Sequence, residues 1–391
     1  MCASSAKNST IDTQPVKAES PKAISRPKIR EITFDDYDQI AALATAHGLA
    51  LTPTREEWLH RWIDNPAYLR HRNWPLGWVL DVDGKIVGHI GNIPSLYALE
   101  GRTLSAASGY AWVVRDEYRG YALLLLDKYL RQEKADLTLS NTATLESFHA
   151  HTQLGATPVP AGCWDRSSVW ITSYSDFFRY WLGRKRVPAA ELWSYPVTLI
   201  LSAKDSWHRS LVAKLAKRSA NVEIRTSFDE QFDRFWETLR EKYPGKLLAF
   251  RDRHTLDWHF HYALRENRVW IFTETQGDEL RSYAIFLIER NLTEQGVSPR
   301  ALMVDFQSLG TDGIFFAMLR RALRQCREHG IHLLVTMGIT AGGIDMSYYA
   351  PYHSTGKNPV FLFKVRDPKL AVSLRDSRVW CPTFFDGEAS L

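Results

Sequence analysis

Arg119, Gly120 and Ala122 stand close together in "VVRDEYRGYALLLLDKYLRQ", Val113 to Gln132, where a β-branched run gives way to an apolar helical pattern. The first turn of a helix leaves backbone N–H groups without partners, and its dipole favours negative charge. Small side chains let a phosphate approach those amides; Gly120 and Ala122 are small, and Arg119 adds a cation. The same residues also suit a plain strand-to-helix turn with a solvated arginine, since one glycine-containing turn is a weak signal. Asp305 is a second oddity, a carboxylate inside the apolar run "ALMVDFQSL". A buried carboxylate needs a partner. It is either satisfied within the protein or turned to a substrate amine near a cleft between the halves.

The elements that must position these residues are written in hydrophobic periodicity and turn signals. "REITF" reads as a strand, and "FDDYDQIAALATAHGL" and "PTREEWLHRWIDNPAYLR" as helices. "GWVLDVDGKIVGHIGNI" reads as a hairpin around Asp83-Gly84, and "RTLSAASGYAWVV" as a further strand. The helix after Arg119 follows, then strand "DLTLSN", helix "TLESFHAHTQLGA" and a closing strand "SSVWITS". The second half runs through the same order: "VEIRTSF", two helices, a hairpin around Gly277-Asp278, "RALMVDFQSLG", the amphipathic "DGIFFAMLRRALRQCREHG", and "HLLVTMG". "PVFLFKV" and "SRVWCPTFF" are expected to close its sheet. A repeated order implies two domains, as does a length of 391 residues. The division expected is a disordered tail over 1–28, an N-terminal domain over 29–174, an ordered helical connector over 175–220 and a C-terminal domain over 221–391. The tryptophans (Trp58, Trp62, Trp258, Trp270 among them) are expected in the cores.

Composition narrows the function classes. The chain is 45% hydrophobic, 12% aromatic and 24% charged, with net charge +5. That is an ordinary globular balance, and the small positive excess suits a small anionic ligand without asking for nucleic acid. No apolar run approaches the ~20 residues of a bilayer span. The N-terminus has no apolar signal core, and Cys2, Cys163, Cys326 and Cys381 lie far apart with no metal-ligand or disulfide spacing. These features suit a reducing cytoplasm and a site without metal.

The order of elements, with "VVRDEYRGYALLLL" after the fourth strand, resembles the GNAT superfamily of acyl-CoA-dependent N-acyltransferases. The superfamily's Val-x-Pro-x-Tyr-Arg-Gly-x-Gly-x-Gly pattern is met at Tyr118, Arg119 and Gly120, behind the run Val113-Val114; its two later glycines are Ala122 and Leu124 here. The resemblance implies an α+β fold of two tandem GNAT-like domains, each a mixed, mostly antiparallel sheet flanked by helices. It implies acetyl-CoA, or another acyl-CoA, as co-substrate and a small-molecule amine as acceptor. The coenzyme would lie along Val113 and Val114 and on the amides of Arg119, Gly120, Tyr121, Ala122 and Leu123. Asn141 sits at the strand exit, somewhat earlier than the asparagine of the superfamily's second signature. His151 stands four residues before Gly155, where the superfamily often has a tyrosine that protonates the leaving thiolate. An imidazolium is a general acid near neutral pH. "SAASGYAWVV" lacks the carboxylate that often serves as base, which leaves Ser108, Tyr110 or His89. Each of these histidines and hydroxyls has a plain structural reading too.

The second half has "QSLGTDGIFFAML", where Asp312 beside Gly313 suits helix capping and would repel phosphate, so this half is read as degenerate for coenzyme. Trp380, Asp386 and Gly387 near the C-terminus look like those of bacterial acetyltransferases of surface-polysaccharide clusters, which implies an amino-sugar acceptor. Two other readings remain open: a FemABX-like aminoacyl transferase, and a non-catalytic tandem scaffold.

Overall fold

The computed structural model describes residues 25–49, 54–160, 166–184, 205–216, 221–290, 298–310, 313–337, 340–341, 344–345, 349–355, 360–388 and 390–391. The expected tail, Cys2, Cys163 and Asp312 lie outside or largely outside these residues.

Strand β1 (Lys28–Glu31) precedes α1 (Tyr37–Ala46), α2 (Arg55–Ile63) and α3 (Pro66–Arg70). The sequence reads α2 and α3 as one helix. Asn65 divides them: its side chain accepts from Ala67 N–H and Pro66 takes the first helical position, where a missing N–H costs nothing. Then come β2 (Gly77–Val82), β3 (Lys85–Leu99) and β4 (Arg102–Val114), a 3-10 turn (Asp116–Tyr121), α4 (Ala122–Leu130), β5 (Leu137–Ala143), α5 (Leu145–Gln153), β6 (Thr157–Pro158) and β7 (Arg166–Ile171). Helices α6 (Tyr174–Arg184) and α7 (205–215) lie in the expected connector.

The second half carries β8 (Val222–Arg225), α8 (Glu230–Lys242), β9 (Leu248–Ala249), α9 (Arg253–Arg265), β10 (Val269–Gln276), β11 (Glu279–Glu289), β12 (Arg300–Ser308), α10 (Ile314–Glu328) and β13 (Leu333–Met337). The last elements are β14 (Thr340–Ala341), β15 (Ile344–Asp345), β16 (Tyr352–Thr355), β17 (Val360–Val365) and α11 (Pro368–Ser373).

The architecture is α+β, two mixed and mostly antiparallel sheets flanked by helices. The first sheet runs β1-β2-β3-β4-β5-β17-β6, with β9 on β3; the second runs β16-β7-β13-β12-β11-β10-β8. The parallel pairs are β4 with β5 and β12 with β13, the pairs that need a crossover helix.

Two strands are exchanged relative to expectation. "SSVWITS" supplies β7, which pairs β13 and β16 in the second sheet instead of closing the first. "PVFLFKV" supplies β17, which pairs β5 and β6 in the first. "SRVWCPTFF" forms only a 3-10 turn and one bridge, Leu247 to Trp380. Alternation identifies a strand but not its partner. The cut at 175–220 therefore crosses both sheets, and one core joins Leu104, Leu137 and Leu139 to Phe232, Trp236, Phe361 and Trp380. Trp58 and Trp62 are fully buried, as read from their spacing.

Candidate active site

The start of α4 is open. Gly120 has free space around the position a Cβ would take, and Leu123 and Leu124 are 44% and 49% exposed. Arg119 is exposed and reaches Asp116 at 3.5 Å, a contact that such exposure makes weak. No side chain caps the helix; Tyr121 occupies the cap position. The 3-10 turn before α4 takes up the Ala122 N–H on the Arg119 carbonyl, so what is open at this helix start is the side-chain space around Gly120 and the exposed Arg119.

Beside this helix start, β4 and β5 part. Their ladder runs from Ala106–Leu137 to Ser108–Leu139 and stops there. Tyr129 of α4 sits at the point of divergence, fully buried, with its hydroxyl 2.8 Å from the carbonyl oxygen of Ala107 and 2.6 Å from that of Leu139. Just beyond, the β3–β4 register shifts between His89 and Gly91, and Ala111 takes a φ of 50°. A non-glycine residue there is strained, and a bulge re-aims the strand beyond it. Nδ1 of His89 donates to the Ala111 carbonyl at 2.8 Å and braces the bulge.

The C-terminal segment closes the far side of the gap. Asn141 of β5 donates to the Asp386 carbonyl, and its own oxygen accepts from Glu388 N–H at 3.2 Å. The Thr142 hydroxyl donates to the Glu388 carboxylate. Burial pushes Glu388 up from 4.5 to about 7, against the Thr142 hydrogen bond and the Arg61 charge, which pull it down. Arg61 of α2 lies buried over the Tyr110 ring, 4.4 Å from its centroid, and donates to the Leu391 oxygen at 3.4 Å. Next to them a narrow crevice opens between the halves, lined by Ser95, Tyr97, Ser108, Trp258, His259 and Leu391 among others.

The expected residues divide into three groups. Arg119, Gly120, Tyr121, Ala122 and Leu123 come together at the open helix start, with Val113 and Val114 on the strand leading to it. His151 is buried on α5, its ring edge-on to Trp112 of β4 at 5.8 Å, and Nδ1 bonded to the Ser147 carbonyl at 2.8 Å. It faces the expected gap, but burial lowers its pKa. Nδ1, committed to the Ser147 carbonyl, is not available to a leaving thiolate.

The remaining residues serve the fold. His89 is fully buried and held at about 4 by burial, despite its bond to Ala111, so it braces the strand rather than acting as base. Tyr110 carries Arg61 on its ring. Asn141 spends its amide on the C-terminal segment instead of a coenzyme. Asp305 does not meet an acceptor: it accepts from Arg251 at 2.8 and 3.2 Å, Tyr283 at 2.8 Å, Gln307 at 3.1 Å and Thr383 at 3.0 Å. Burial alone would raise Asp305, and Arg251 outweighs it and holds the pKa down.

Glu388 and Arg61 were missed by sequence reasoning. Glu388 lies in "FFDGEAS", which has no periodicity, and Arg61 reads as one of several charges on an amphipathic helix.

No family model matches the sequence, and no curated protein matches it. Solved structures do. A GCN5-related N-acetyltransferase from Anabaena variabilis is 14% identical with a TM-score of 0.52, over 87% of this chain and 73% of that one. A conserved protein of Enterococcus faecalis described as a probable N-acyltransferase is 12% identical, TM-score 0.54, over 87% and 73%. N-myristoyltransferase of Saccharomyces cerevisiae, with bound myristoyl-CoA, is 11% identical, TM-score 0.52, over 88% and 80%. At these identities the likeness is one of fold.

Proposed function

We propose that this chain is an acyl-CoA-dependent N-acyltransferase, with acetyl-CoA as donor and a small amine, such as an amino sugar, as acceptor. One observation carries the reading: β4 and β5 part beyond Ser108 and Leu139 directly beside the uncovered start of α4. The positive end of the helix dipole at α4, with exposed Arg119 and the open space at Gly120, is suited to the pyrophosphate, and the gap to pantetheine and thioester. The Asp305 network and Asn141 have no part in this reading.

The amine reaches the thioester from the side of Arg61, Tyr110 and the C-terminal segment. Glu388 is the base. An alkyl ammonium must lose a proton before it attacks, and a carboxylate raised to about 7 accepts one at neutral pH. The free amine then adds to the thioester carbonyl carbon. Backbone N–H groups along the strained β4 bulge stabilise the oxyanion. Collapse breaks the carbon–sulfur bond and releases the thiolate of coenzyme A; the acylated nitrogen loses its extra proton to solvent, and the thiolate takes the proton held by Glu388 through solvent. His151 packs the wall of the gap.

Isothermal titration with acetyl-CoA tests the reading. Saturable binding that Gly120→Asp weakens at least about tenfold while the urea midpoint stays put supports it. No binding at millimolar acetyl-CoA overturns it.

A further inference from the structure

Arg70, His71, Arg72, Asn73, Trp74 and Lys134 line a surface cavity of about 280 Å³. Small-molecule sites begin at roughly that size, near 300 Å³. The cavity lies where the turn after α3 meets the segment between α4 and β5. It is therefore at the end of α4 away from Gly120, and it has no part in the acyltransferase reading.

The walls of the cavity are fixed from beneath. Asn92 of β3 and Gln132, both buried, exchange hydrogen bonds at 3.0 and 2.9 Å, which ties the strand to the segment beyond α4. The Asn92 side chain also donates to the Pro75 carbonyl at 2.8 Å, and the Trp74 indole donates to the Asn92 carbonyl at 3.2 Å. One buried asparagine thus holds both walls. The Arg70 guanidinium lies over the Phe250 ring, 5.6 Å from its centroid. A site held in place before its ligand arrives loses less freedom on binding.

The charge in the cavity is one-sided. Arg70, Arg72 and Lys134 are exposed, and no carboxylate lines the cavity with them. None of the three forms an ion pair with a described residue. Exposed arginines elsewhere do: Arg55 meets Asp35 at 3.6 Å, Arg119 meets Asp116 at 3.5 Å and Arg378 meets Asp376 at 2.7 Å. Arg131, close by in the chain, is spent on Asp127 at 2.6 Å. Glu133 and Asp136 flank Lys134 in sequence but do not line the cavity, and Asp136 accepts from Ser105 N–H at 2.9 Å. Like charges gathered in one concavity repel each other and focus a field that attracts anions.

We propose that this cavity is a second ligand site, which binds the diphosphate of a small phosphorylated molecule. Guanidinium forks match phosphate oxygens in pairs, and Lys134 adds a point charge. A single phosphate carries about two negative charges, so three cations are better matched by two linked phosphates. The Trp74 and Asn73 side of the cavity leaves room for part of the group that carries them.

Isothermal titration of the full-length protein tests the proposal, at about 0.15 M salt, where loose surface attraction is screened. The probes are inorganic pyrophosphate, inorganic phosphate and a short single-stranded oligonucleotide. Pyrophosphate should bind saturably below millimolar concentration, and phosphate at least about tenfold more weakly. Arg72→Gln combined with Lys134→Gln should weaken pyrophosphate at least about tenfold, with the urea midpoint and acetyl-CoA affinity at wild-type values. Gly120→Asp should leave this pyrophosphate site in place. No saturable binding of pyrophosphate at millimolar concentration overturns the proposal, as does phosphate binding as tightly as pyrophosphate. So does binding that Gly120→Asp removes and the double variant keeps, or a loss of acetyl-CoA affinity in the double variant, since the cavity would then have no ligand of its own. An oligonucleotide that binds through Arg72 and Lys134 more tightly than pyrophosphate overturns it in favour of a nucleic-acid surface. Failure of acetyl-CoA to bind the wild type bears on the acyltransferase reading alone, because pyrophosphate reads this cavity without coenzyme.

Discussion

Helices α4 and α10 each follow a strand with a register shift and lead to a parallel neighbour, but their first turns meet opposite surroundings. At α4, Gly120 looks into free space, and Leu123 and Leu124 are about half exposed. At α10, Gly313 caps the helix in the left-handed region, with φ of 69°, and Ile314, Phe315 and Phe316 are 5%, 5% and 6% exposed. Both starts lie at the positive end of a helix dipole. Only one that no side chains cover can bring an anion close to it. The strands differ in the same way. Beyond its last rung with β5, β4 borders a gap. Beyond Met303, the last described rung of β12 with β13, the chain places Asp305 in a closed network with Arg251, Tyr283 and Thr383. The first half is left open where the second is filled.

The largest effect expected lies in the open half. Glu388→Gln should lower the kcat/KM of acetyl transfer by about 10²- to 10⁴-fold while acetyl-CoA affinity is unchanged. In the wild type, kcat/KM should rise as pH rises through about 7, where Glu388 loses its proton. A profile flat from about pH 5 to pH 9 would remove Glu388 from the mechanism. Stability should move the other way. The folded pKa lies above the ordinary 4.5, so the contribution is full below that value and is lost as pH rises through about 7. That part of the fall in Tm should vanish in Glu388→Gln.

The closed half should respond in stability instead. Asp305→Ala leaves Arg251 buried without its main counter-charge and should cost about 3–5 kcal/mol by urea unfolding. A loss under about 1 kcal/mol would mean that the network is not what holds this region, and would break the contrast. Gly120→Asp comes next: acetyl-CoA affinity should weaken at least about tenfold, with the urea midpoint unchanged. The smallest effect is a matched pair. Gly313→Ala should cost about 1–2 kcal/mol, because alanine is strained at φ of 69°. Gly120→Ala should stay within about 0.5 kcal/mol of wild type. Equal costs would mean that Gly120 has a structural duty after all.

Much of the frame was legible in the chain. The turn at Asp83-Gly84, the apolar stripe of "IFFAMLRRALRQC" and the small residues at Gly120 and Ala122 each announce an element or an end of one, because period and turn chemistry are local properties. The site was legible in part. The stretch proposed to hold the pyrophosphate begins a helix, as its small residues suggest. The acid and base did not follow from spacing: burial lowers the pKa of His151 and His89, and Asn141 and Asp305 are taken up by partners far along the chain.

By itself, then, the sequence determined element types, their repeated order and the uncovered turn at Gly120. Tertiary structure decided that β7 and β17 cross to each other's sheets, since an alternating apolar strand fits any edge with a matching face. It also decided which charges are spent and which are free. Arg251 and Arg61 look alike in sequence, and only packing brings carboxylates to the first and the Tyr110 ring and the Leu391 oxygen to the second. Desolvation and pairing depend on neighbours distant in the chain, so no local pattern encodes them.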